Sequence, residues 1–171
     1  MAVETVVCTA IDSFVGKVLI AEDEKGLRVV RFMEGDKSCK PDSGWRFDKH
    51  LKSEAVRQLV SYFKGELREF DLPLSLDGTP FQETVWKALL KIPFGETVSY
   101  GEIARRIGRP RAVRAVGGAN GKNNIPIVVP CHRIIGCSGR LTGFGSGLPI
   151  KEALLEHEWK VSRKTGARAW K

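Results

Sequence analysis

Hydrophobic residues in the first third of the chain fall in short β-branched runs, whereas further on they recur at helical spacing. Residues 3–8, 17–21 and 27–32 form three such runs, which predict strands. The turn sequence Asp23-Glu24-Lys25-Gly26 predicts a hairpin between the second strand and the third. Over residues 53–64 the apolar positions are three or four apart, and this spacing predicts an amphipathic helix that covers the sheet.

The later part of the chain contains several signals for the start and the end of helices. Thr79-Pro80-Phe81-Gln82 combines an N-cap, a proline at the first helical position and a capping box. A second capping box begins at Ser99, and Gly108-Arg109-Pro110 ends that short helix before residues 111–119 become compatible with a helix again. Two short helices joined by a tight glycine-containing turn predict a helix-turn-helix. A last helix is predicted over residues 149–158.

These elements predict two domains of different class. We expect residues 1–78 to form an α/β domain, in which one helix covers a small antiparallel sheet. We expect residues 79–171 to form a mostly α-helical domain that contains the helix-turn-helix. The boundary falls within residues 71–78, where Pro73 and Asp77-Gly78 are typical of a connection.

The two predicted domains differ in charge. The chain has 171 residues, with 28 Lys and Arg against 20 Asp and Glu, and a formal net charge of +8. Residues 1–85 carry 12 basic and 15 acidic side chains, whereas residues 86–171 carry 16 basic and 5 acidic ones. A half this basic is typical of a protein that binds a polyanion, with nucleic acid the first candidate and an anionic membrane surface the second. A merely well-solvated surface stays the alternative.

The composition also bears on compartment and cofactors. No apolar stretch reaches the length of a signal peptide or a membrane span, so we expect a cytoplasmic protein with no membrane association. In that reducing compartment the four cysteines are expected to be thiols, and whether Cys8 and Cys39 pair is left open. The irregular spacing of the cysteines and the three histidines offers no convincing ligand set, so we expect no metal and no other cofactor.

The second helix of the predicted helix-turn-helix is rich in small residues. Ala115, Gly117 and Gly118 follow Arg114, and the Asn and Gln side chains that read base edges in the major groove are missing among them. Small residues let a backbone approach DNA closely, which favours backbone and shape contacts in the minor groove. A helix hairpin buried for packing explains the same pattern, and this segment alone does not decide between the two.

One cysteine stands beside groups that favour the thiolate. The sequence Pro130-Cys131-His132-Arg133 follows a β-branched run over residues 125–129, and an imidazole or a guanidinium next to a thiol lowers its pKa. Adjacent residues of a strand point to opposite faces, so the imidazole can act on the thiol only if the chain turns at the proline or a water links them. An acid of the last helix is expected to orient the imidazole. The candidates are Glu152, Glu156 and Glu158.

The nine residues from Ile125 to Arg133, Ile-Pro-Ile-Val-Val-Pro-Cys-His-Arg, are similar to the active-site signature of the O6-alkylguanine-DNA alkyltransferases, also called methylated-DNA–protein-cysteine methyltransferases. Other motifs follow in the family's order, and the match is dense over residues 79–158. They are Thr79 to Gln82 with Trp86, Phe94 to Tyr100, Arg114 to Ala119, Asn123, and Lys151-Glu152 through Leu155 to Glu158. The N-terminal half agrees with the family only in size and expected topology.

The resemblance implies a fold, an activity and a partner. The N-terminal domain would be RNase H-like and the C-terminal domain similar to a winged helix. The activity would be direct-reversal DNA repair, in which an alkyl group moves irreversibly from O6 of guanine to Cys131, once per molecule. The partner would be double-stranded DNA bearing O6-alkylguanine, and the protein a monomer of bacterial or archaeal type. Activity on O4-alkylthymine and cooperativity on DNA are left open.

The resemblance also implies roles for individual residues. Cys131 would be the nucleophile, His132 would accept its proton through a water, Glu158 would hold the imidazole and Asn123 would brace the turn. Tyr100 would donate to a guanine flipped out of the duplex, whose place an arginine takes. Further substrate contacts are expected from Ser99, Arg114, Ile134, Phe144 and Gly145, and DNA contacts from Arg114, Ala115, Gly117, Gly118 and Arg133. Phe144 departs from the Tyr of several members, which leaves the stacking but removes a hydroxyl.

Three other functions compete with this interpretation. A lesion-binding relative that transfers nothing would lack the cysteine, usually with Trp in its place. A helix-turn-helix transcription factor would explain the charge and the two helices but not Pro130-Cys131-His132-Arg133. A cysteine hydrolase would need an oxyanion element, and none is recognisable in the sequence.

Overall fold

The chain folds as two units in this computed structural model, Met1–Asp77 and Gly78–Lys171. The structure describes residues 5–33, 40–162 and 168–171. Cys39 lies outside these residues, so the structure does not address whether it pairs with Cys8. None of the helices among the described residues is both long and apolar enough to cross a bilayer.

The first unit contains a four-stranded sheet in the order β3-β2-β1-β4. Its strands are β1 (Val7–Ser13), β2 (Gly16–Asp23), β3 (Gly26–Phe32) and β4 (Arg46–Phe47). The first three form the antiparallel hairpins that the sequence predicts, whereas β4 pairs with β1 in parallel and makes the sheet mixed. A strand of two residues is too short to show an alternation of polar and apolar positions, so β4 was not predicted from the sequence. β1 continues past the predicted end at Cys8, because it pairs with β2 as far as Ser13.

The turn and the helix of this unit are fixed by local side chains. Asp23 Oδ1 accepts hydrogen bonds from the main-chain N of Lys25 at 2.8 Å and of Gly26 at 3.2 Å, which closes the β2–β3 turn. α1 (Glu54–Phe63) begins after Ser53, whose hydroxyl accepts from Val56 N at 3.2 Å. α1 packs on β1 and buries its apolar face. The buried residues of α1 are Ala55, Gln58, Leu59 and Tyr62.

The second unit is mainly helical. Its elements are α2 (Pro80–Leu89), β5 (Val98–Ser99), α3 (Tyr100–Arg106), α4 (Val113–Gly121), β6 (Ile134–Ile135) and α5 (Leu148–Val161). The predicted capping box is present at the start of α2. α3 and α4 pack on each other and on α2, and they form the helix-turn-helix. The sheet-plus-helix unit followed by the helical unit confirms the predicted fold class.

A short parallel pair brings distant segments of this unit together. Val98 pairs with Ile134 and Ser99 with Ile135, so the start of α3 lies beside the chain that follows Cys131. Trp86 of α2 donates its indole N–H to the main-chain oxygen of Ala119 at 2.9 Å. This buried bond holds the end of α4 against α2.

Candidate active site

Cys131 lies in a tight turn and not at the end of a strand. Residues 125–129, predicted as a β-branched run leading to the cysteine, form a turn in which the N–H of Val129 donates to the oxygen of Ile125 at 2.9 Å. Cys131–Arg133 then forms a single 3-10 turn. The chain therefore does turn at Pro130, which was one of the two conditions under which Cys131 and His132 can cooperate.

The turn before the cysteine carries backbone strain. Ile127 has φ 75°, and it is the single non-glycine with a positive φ among the residues that the structure describes. A β-branched residue in that region is a true outlier, at a cost of about 1–3 kcal/mol. Complete burial of the Ile127 side chain holds it there. Asn123 bridges the same turn, because its Nδ2 donates to the oxygen of Val129 at 2.8 Å and its Oδ1 accepts from Ile125 N at 2.9 Å.

His132 and Glu158 form a buried pair. Nε2 of His132 lies 2.7 Å from Oε1 of Glu158, and both side chains are fully buried. Burial lowers the pKa of His132, although Glu158 opposes the shift, so the ring is neutral at pH 7. Burial by itself would raise the pKa of Glu158, but His132 and Arg133 lower it well below its usual range. A carboxylate can only accept, so Nε2 carries the proton and Nδ1 is the basic atom.

The basic atom of that ring is open. Nδ1 of His132 is buried and has no hydrogen-bond partner among the described residues. Buried imidazole nitrogens are normally satisfied, so this open nitrogen, on the residue that follows Cys131, is available to accept a proton.

The prediction that Arg133 contacts DNA does not agree with its position. Arg133 is 5% exposed, and its guanidinium is turned into the unit. Nε and Nη2 donate to the two oxygens of Glu158 at 2.9 Å each, and Nη1 donates to the oxygen of Ile92 at 2.6 Å. The nearby carboxylate decided its direction, since a buried guanidinium needs a matching anion.

A main-chain N–H is the last of the donors that bind the Glu158 carboxylate. The N–H of Gly95 donates to Oε2 of Glu158 at 3.0 Å. Gly95 has φ 74°, and a Cβ there would lie 2.2 Å from Oγ of Ser162. Any residue other than glycine would be strained at this φ, and the Ser162 side chain would also have to turn away.

Burial dominates the ionisation of Cys131. The residue is 4% exposed, and burial raises the pKa of its thiol to about 11, against smaller lowering effects from Asn123, Lys151 and main-chain N–H groups. The sequence predicts that His132 and Arg133 stabilise a thiolate, whereas the structure turns both side chains to Glu158. The imidazole is neutral and the guanidinium is bound to Glu158.

Lys151, named in the sequence analysis only as part of a motif and given no role there, lies in the site. It is fully buried, and its Nζ donates to the oxygen of Thr142 at 2.8 Å. Burial lowers its pKa to about 8, while its interaction with Cys131 opposes that shift. A signal was available, because Lys151, Leu154, Leu155 and Glu158 share the buried face of α5. A lysine on a buried helical face is rarely structural alone.

Tyr100 contacts the loop that follows the cysteine. Its hydroxyl donates to the oxygen of Thr142 at 3.1 Å, the same oxygen that Lys151 contacts. Burial raises the pKa of Tyr100, so its hydroxyl keeps its proton. Ser99, predicted to contact the substrate, instead caps α3, since its hydroxyl accepts from Glu102 N at 3.1 Å.

A cavity of about 40 Å³ opens beside the thiol. Phe144 and Gly145, two of the predicted substrate contacts, line it together with Cys131. Ile134 is fully buried in β6 and is not part of the lining. The remaining lining residues are Asn120, Gly121, Asn123, Pro126, Gly143 and Ser146.

The outer surface of α4 is formed by the predicted DNA contacts. Arg114, Ala115 and Gly118 are exposed, and Gly117 is half-buried near the ring of Tyr100. A Cβ at Gly118 would meet nothing within 4 Å, so no internal contact requires a glycine there. Glycine in a helix costs about 0.5–1 kcal/mol relative to alanine. The helix-turn-helix thus presents a smooth, positively charged surface.

No group of three or more His, Cys, Asp or Glu residues that could hold a metal ion occurs within residues 5–33, 40–162 and 168–171. Cys137, the other thiol of this unit, is exposed. It lies in the turn after β6 and is absent from the cavity lining.

Known proteins match this chain over most of its length. The family model described as 6-O-methylguanine DNA methyltransferase, ribonuclease-like domain, matches residues 6–76, and the DNA binding domain of the same name matches residues 80–160. A methylated-DNA–protein-cysteine methyltransferase of Methanosarcina acetivorans is 53% identical over 147 residues, 86% of this chain and 94% of the relative. The protein of that name from Mycobacterium tuberculosis is 54% identical over 149 residues, 86% of this chain and 89% of the relative.

A solved structure is similar in fold as well as in sequence. The crystal structure of Mycobacterium tuberculosis OGT in complex with DNA superposes with a TM-score of 0.83 at 52% identity. The superposition covers 91% of this chain and 94% of that one.

Proposed function

This chain belongs to the family of O6-alkylguanine-DNA alkyltransferases and repairs DNA by direct reversal, and from that premise we propose that Cys131 takes the alkyl group from O6 of guanine in duplex DNA. One observation carries the choice of residue. Cys131 lines a cavity, and the residue that follows it in the 3-10 turn is a neutral imidazole with an open nitrogen and a buried carboxylate bound to the other one. Cys137 is exposed, does not line that cavity and has no histidine next to it in the chain.

The proton of the thiol leaves as the reaction begins. With its pKa raised to about 11, Cys131 is a thiol at pH 7, so the proton has to be removed during the attack. His132 accepts it at Nδ1 through a water, and Glu158 and Arg133 hold the ring for this step. Sulfur attacks the alkyl carbon in line, the C–O bond breaks, and the guanine takes up the proton that His132 accepted, which returns through the water. The products are guanine and an S-alkylcysteine.

Two groups balance the charges that develop. Lys151 is the buried cation that stabilises the thiolate of Cys131, since interactions between charges are stronger in a water-poor site. Tyr100 keeps its proton and donates a hydrogen bond to the leaving base, which stabilises the negative charge that develops on the ring. Both side chains also hold the Thr142 carbonyl at the start of the cavity loop.

The surface of α4 supports minor-groove binding with a flipped base. Gly118 and Ala115 leave room for a phosphate–sugar backbone, and Arg114 is exposed at the start of the helix to fill the position of the extruded guanine. Arg105 and Arg106 are paired with Glu102, so they contribute less to the attraction of DNA than their number suggests.

DNA and a reactive thiol are both compatible with the reducing cytoplasm of a bacterium or an archaeon.

The reaction runs once per molecule, because a thioether does not revert and no described group could remove the alkyl group. The test is a titration with a short duplex that contains one O6-methylguanine. We expect one methyl transferred per protein, found by mass spectrometry on the peptide that contains Cys131. The variant Cys131→Ser should transfer nothing, and Cys137→Ser, the matched control, should behave like the wild type.

Three outcomes would contradict the proposal. Sustained turnover would show a catalyst that regenerates its nucleophile, as a cysteine hydrolase does. Tight binding of the modified duplex without transfer would favour a lesion-binding protein. Methyl on Cys137 would show that the other thiol of this unit is the nucleophile.

A further inference from the structure

One polar atom beside the cavity has no partner in the part of the chain that the structure describes. Asn120, in the last turn of α4, is 3% exposed and lines the cavity with Cys131. Its Nδ2 donates to the main-chain oxygen of Cys131 at 3.5 Å. Its Oδ1 is buried and accepts no hydrogen bond from the described residues. A buried acceptor without a donor costs about 1–3 kcal/mol.

The surrounding main chain keeps Asn120 in place. Its own carbonyl accepts from the N–H of Asn123 at 3.3 Å, and the carbonyl of the preceding Ala119 accepts from the indole of Trp86 at 2.9 Å. With this main chain fixed and Nδ2 bound to Cys131, the amide has little freedom to turn its oxygen to solvent. A donor therefore has to come to Oδ1, and because Asn120 lines the cavity, a group bound in the cavity can provide it.

The proposed substrate brings only one kind of N–H donor. Alkylation at O6 leaves N1 of guanine without a hydrogen, N3 and N7 are acceptors, and N9 is bonded to the sugar. The exocyclic 2-amino group is therefore the only donor on the base. Hypoxanthine lacks this group, and a thymine alkylated at O4 has no N–H at all.

We propose that Asn120 is a specificity-determining residue whose Oδ1 accepts a hydrogen bond from the 2-amino group of the flipped guanine. Its Nδ2 at the same time ties the carbonyl of Cys131 to the end of α4, which keeps the nucleophile aligned with the base. The assignment rests on the function proposed above and adds a preference to it. A site built to satisfy a substrate N–H discriminates against analogues that lack it, because its own polar atom is then left unpaired.

The test compares two duplexes that differ in a single group. One contains O6-methylguanine and the other O6-methylhypoxanthine, opposite the same base and in the same sequence. Single-turnover rates of methyl transfer are measured for the wild type, Asn120→Leu, Asn120→Asp and the control Asn124→Leu, which changes an exposed asparagine. The quantity of interest is the ratio of the two rates for each protein. Differences in the cost of base flipping cancel when ratios are compared between proteins, and a reduced active fraction does not alter a rate constant.

We expect the wild type and Asn124→Leu to favour methylguanine by roughly 5- to 150-fold, the equivalent of about 1–3 kcal/mol. In Asn120→Leu the ratio should fall at least fivefold. Asn120→Asp keeps an acceptor and loses the donor to Cys131, so it should be slower on both duplexes with its preference retained. If Asn120→Leu does not fold, Asn120→Ala removes the same groups without adding bulk and replaces it.

The outcomes separate this inference from the function on which it rests. An unchanged ratio in Asn120→Leu, with methylguanine still repaired, would overturn the role of Asn120 and leave the proposed function standing. Equal losses on both duplexes in that variant would also overturn it, because they would show an effect on Cys131 alone. A wild type that repairs neither duplex would contradict the proposed function itself.

Discussion

The buried ion pair between Glu158 and Arg133 gives the sharpest prediction about stability. Glu158 accepts four hydrogen bonds, one from His132, two from Arg133 and one from the N–H of Gly95. In Glu158→Leu the guanidinium stays buried with only the Ile92 carbonyl as a described acceptor. Removing one partner of such a pair costs about 3–5 kcal/mol, so we expect the unfolding midpoint to fall by roughly 6–20 °C.

The double variant Glu158→Leu/Arg133→Met distinguishes an ion pair from simple packing. Each single variant leaves one buried charge without its partner, whereas the double variant leaves none. In the double variant the neutral His132 and the N–H of Gly95 lose their acceptor, and no charge does. We therefore expect its loss of unfolding free energy to be smaller than the sum of the single losses by at least about 2 kcal/mol. The assay is urea unfolding of the four proteins at pH 7, with midpoints and slopes compared. Losses that add within about 0.5 kcal/mol would refute the reasoning.

The same pair sets the direction of a pH effect. Because the pKa of Glu158 is lowered in the folded protein, its contribution to stability is fully present above its unfolded pKa of about 4.3 and is lost as pH falls through the folded value. Acidification below that point should therefore destabilise the wild type more steeply than Glu158→Leu. Parallel curves for the two proteins would indicate that other carboxylates carry the effect.

Four further predictions concern the reaction and the DNA. Lys151→Met should slow methyl transfer at pH 7 at least about tenfold, because the thiolate of Cys131 loses a nearby positive charge. The pH at which the rate increases should rise, and Lys151→Arg should recover part of the rate. Transfer rates measured from pH 6 to 9 check this. Gly118→Ala should raise the unfolding free energy by about 0.5–1 kcal/mol and yet weaken duplex binding, and a gain in both would contradict the minor-groove surface. Arg114→Ala should impair transfer from a duplex more than transfer from a free alkylguanine base, whereas equal losses would point to a fold defect. Affinity for undamaged duplex should fall steeply between about 50 and 200 mM salt, and a flat response would contradict the role of the basic half.

Much of the fold could be predicted because its signals are local. The capping box at Thr79, the N-cap at Ser53 and the turn at Asp23 each act within about four residues, so the sequence contains the whole interaction. The uneven charge is equally visible, since it depends on composition alone. The order of the motifs around Cys131 was sufficient to predict the family from the sequence. The family and its direct-reversal activity are confirmed.

The direction of individual side chains depended on residues far away in the chain. Arg133 looked like a DNA contact until Glu158, 25 positions later, provided a buried carboxylate for it. The thiol of Cys131 looked activated by its neighbours, but burial by the whole unit raises its pKa, and the opposing charge comes from Lys151 on another helix. The strained turn at Ile127 could not be predicted from the sequence either, because a run of β-branched residues normally favours a strand.

The sequence by itself therefore determined most of the helices and strands, which half of the chain is basic and which cysteine is the proposed nucleophile. Only the tertiary structure decided how the charges near that cysteine are paired, and that Nδ1 of His132 and Oδ1 of Asn120 have no partner among the described residues. The physical reason is one of range. Caps, turns and periodicity are satisfied by neighbours in sequence, whereas burial and ion pairing depend on what the fold places around a group.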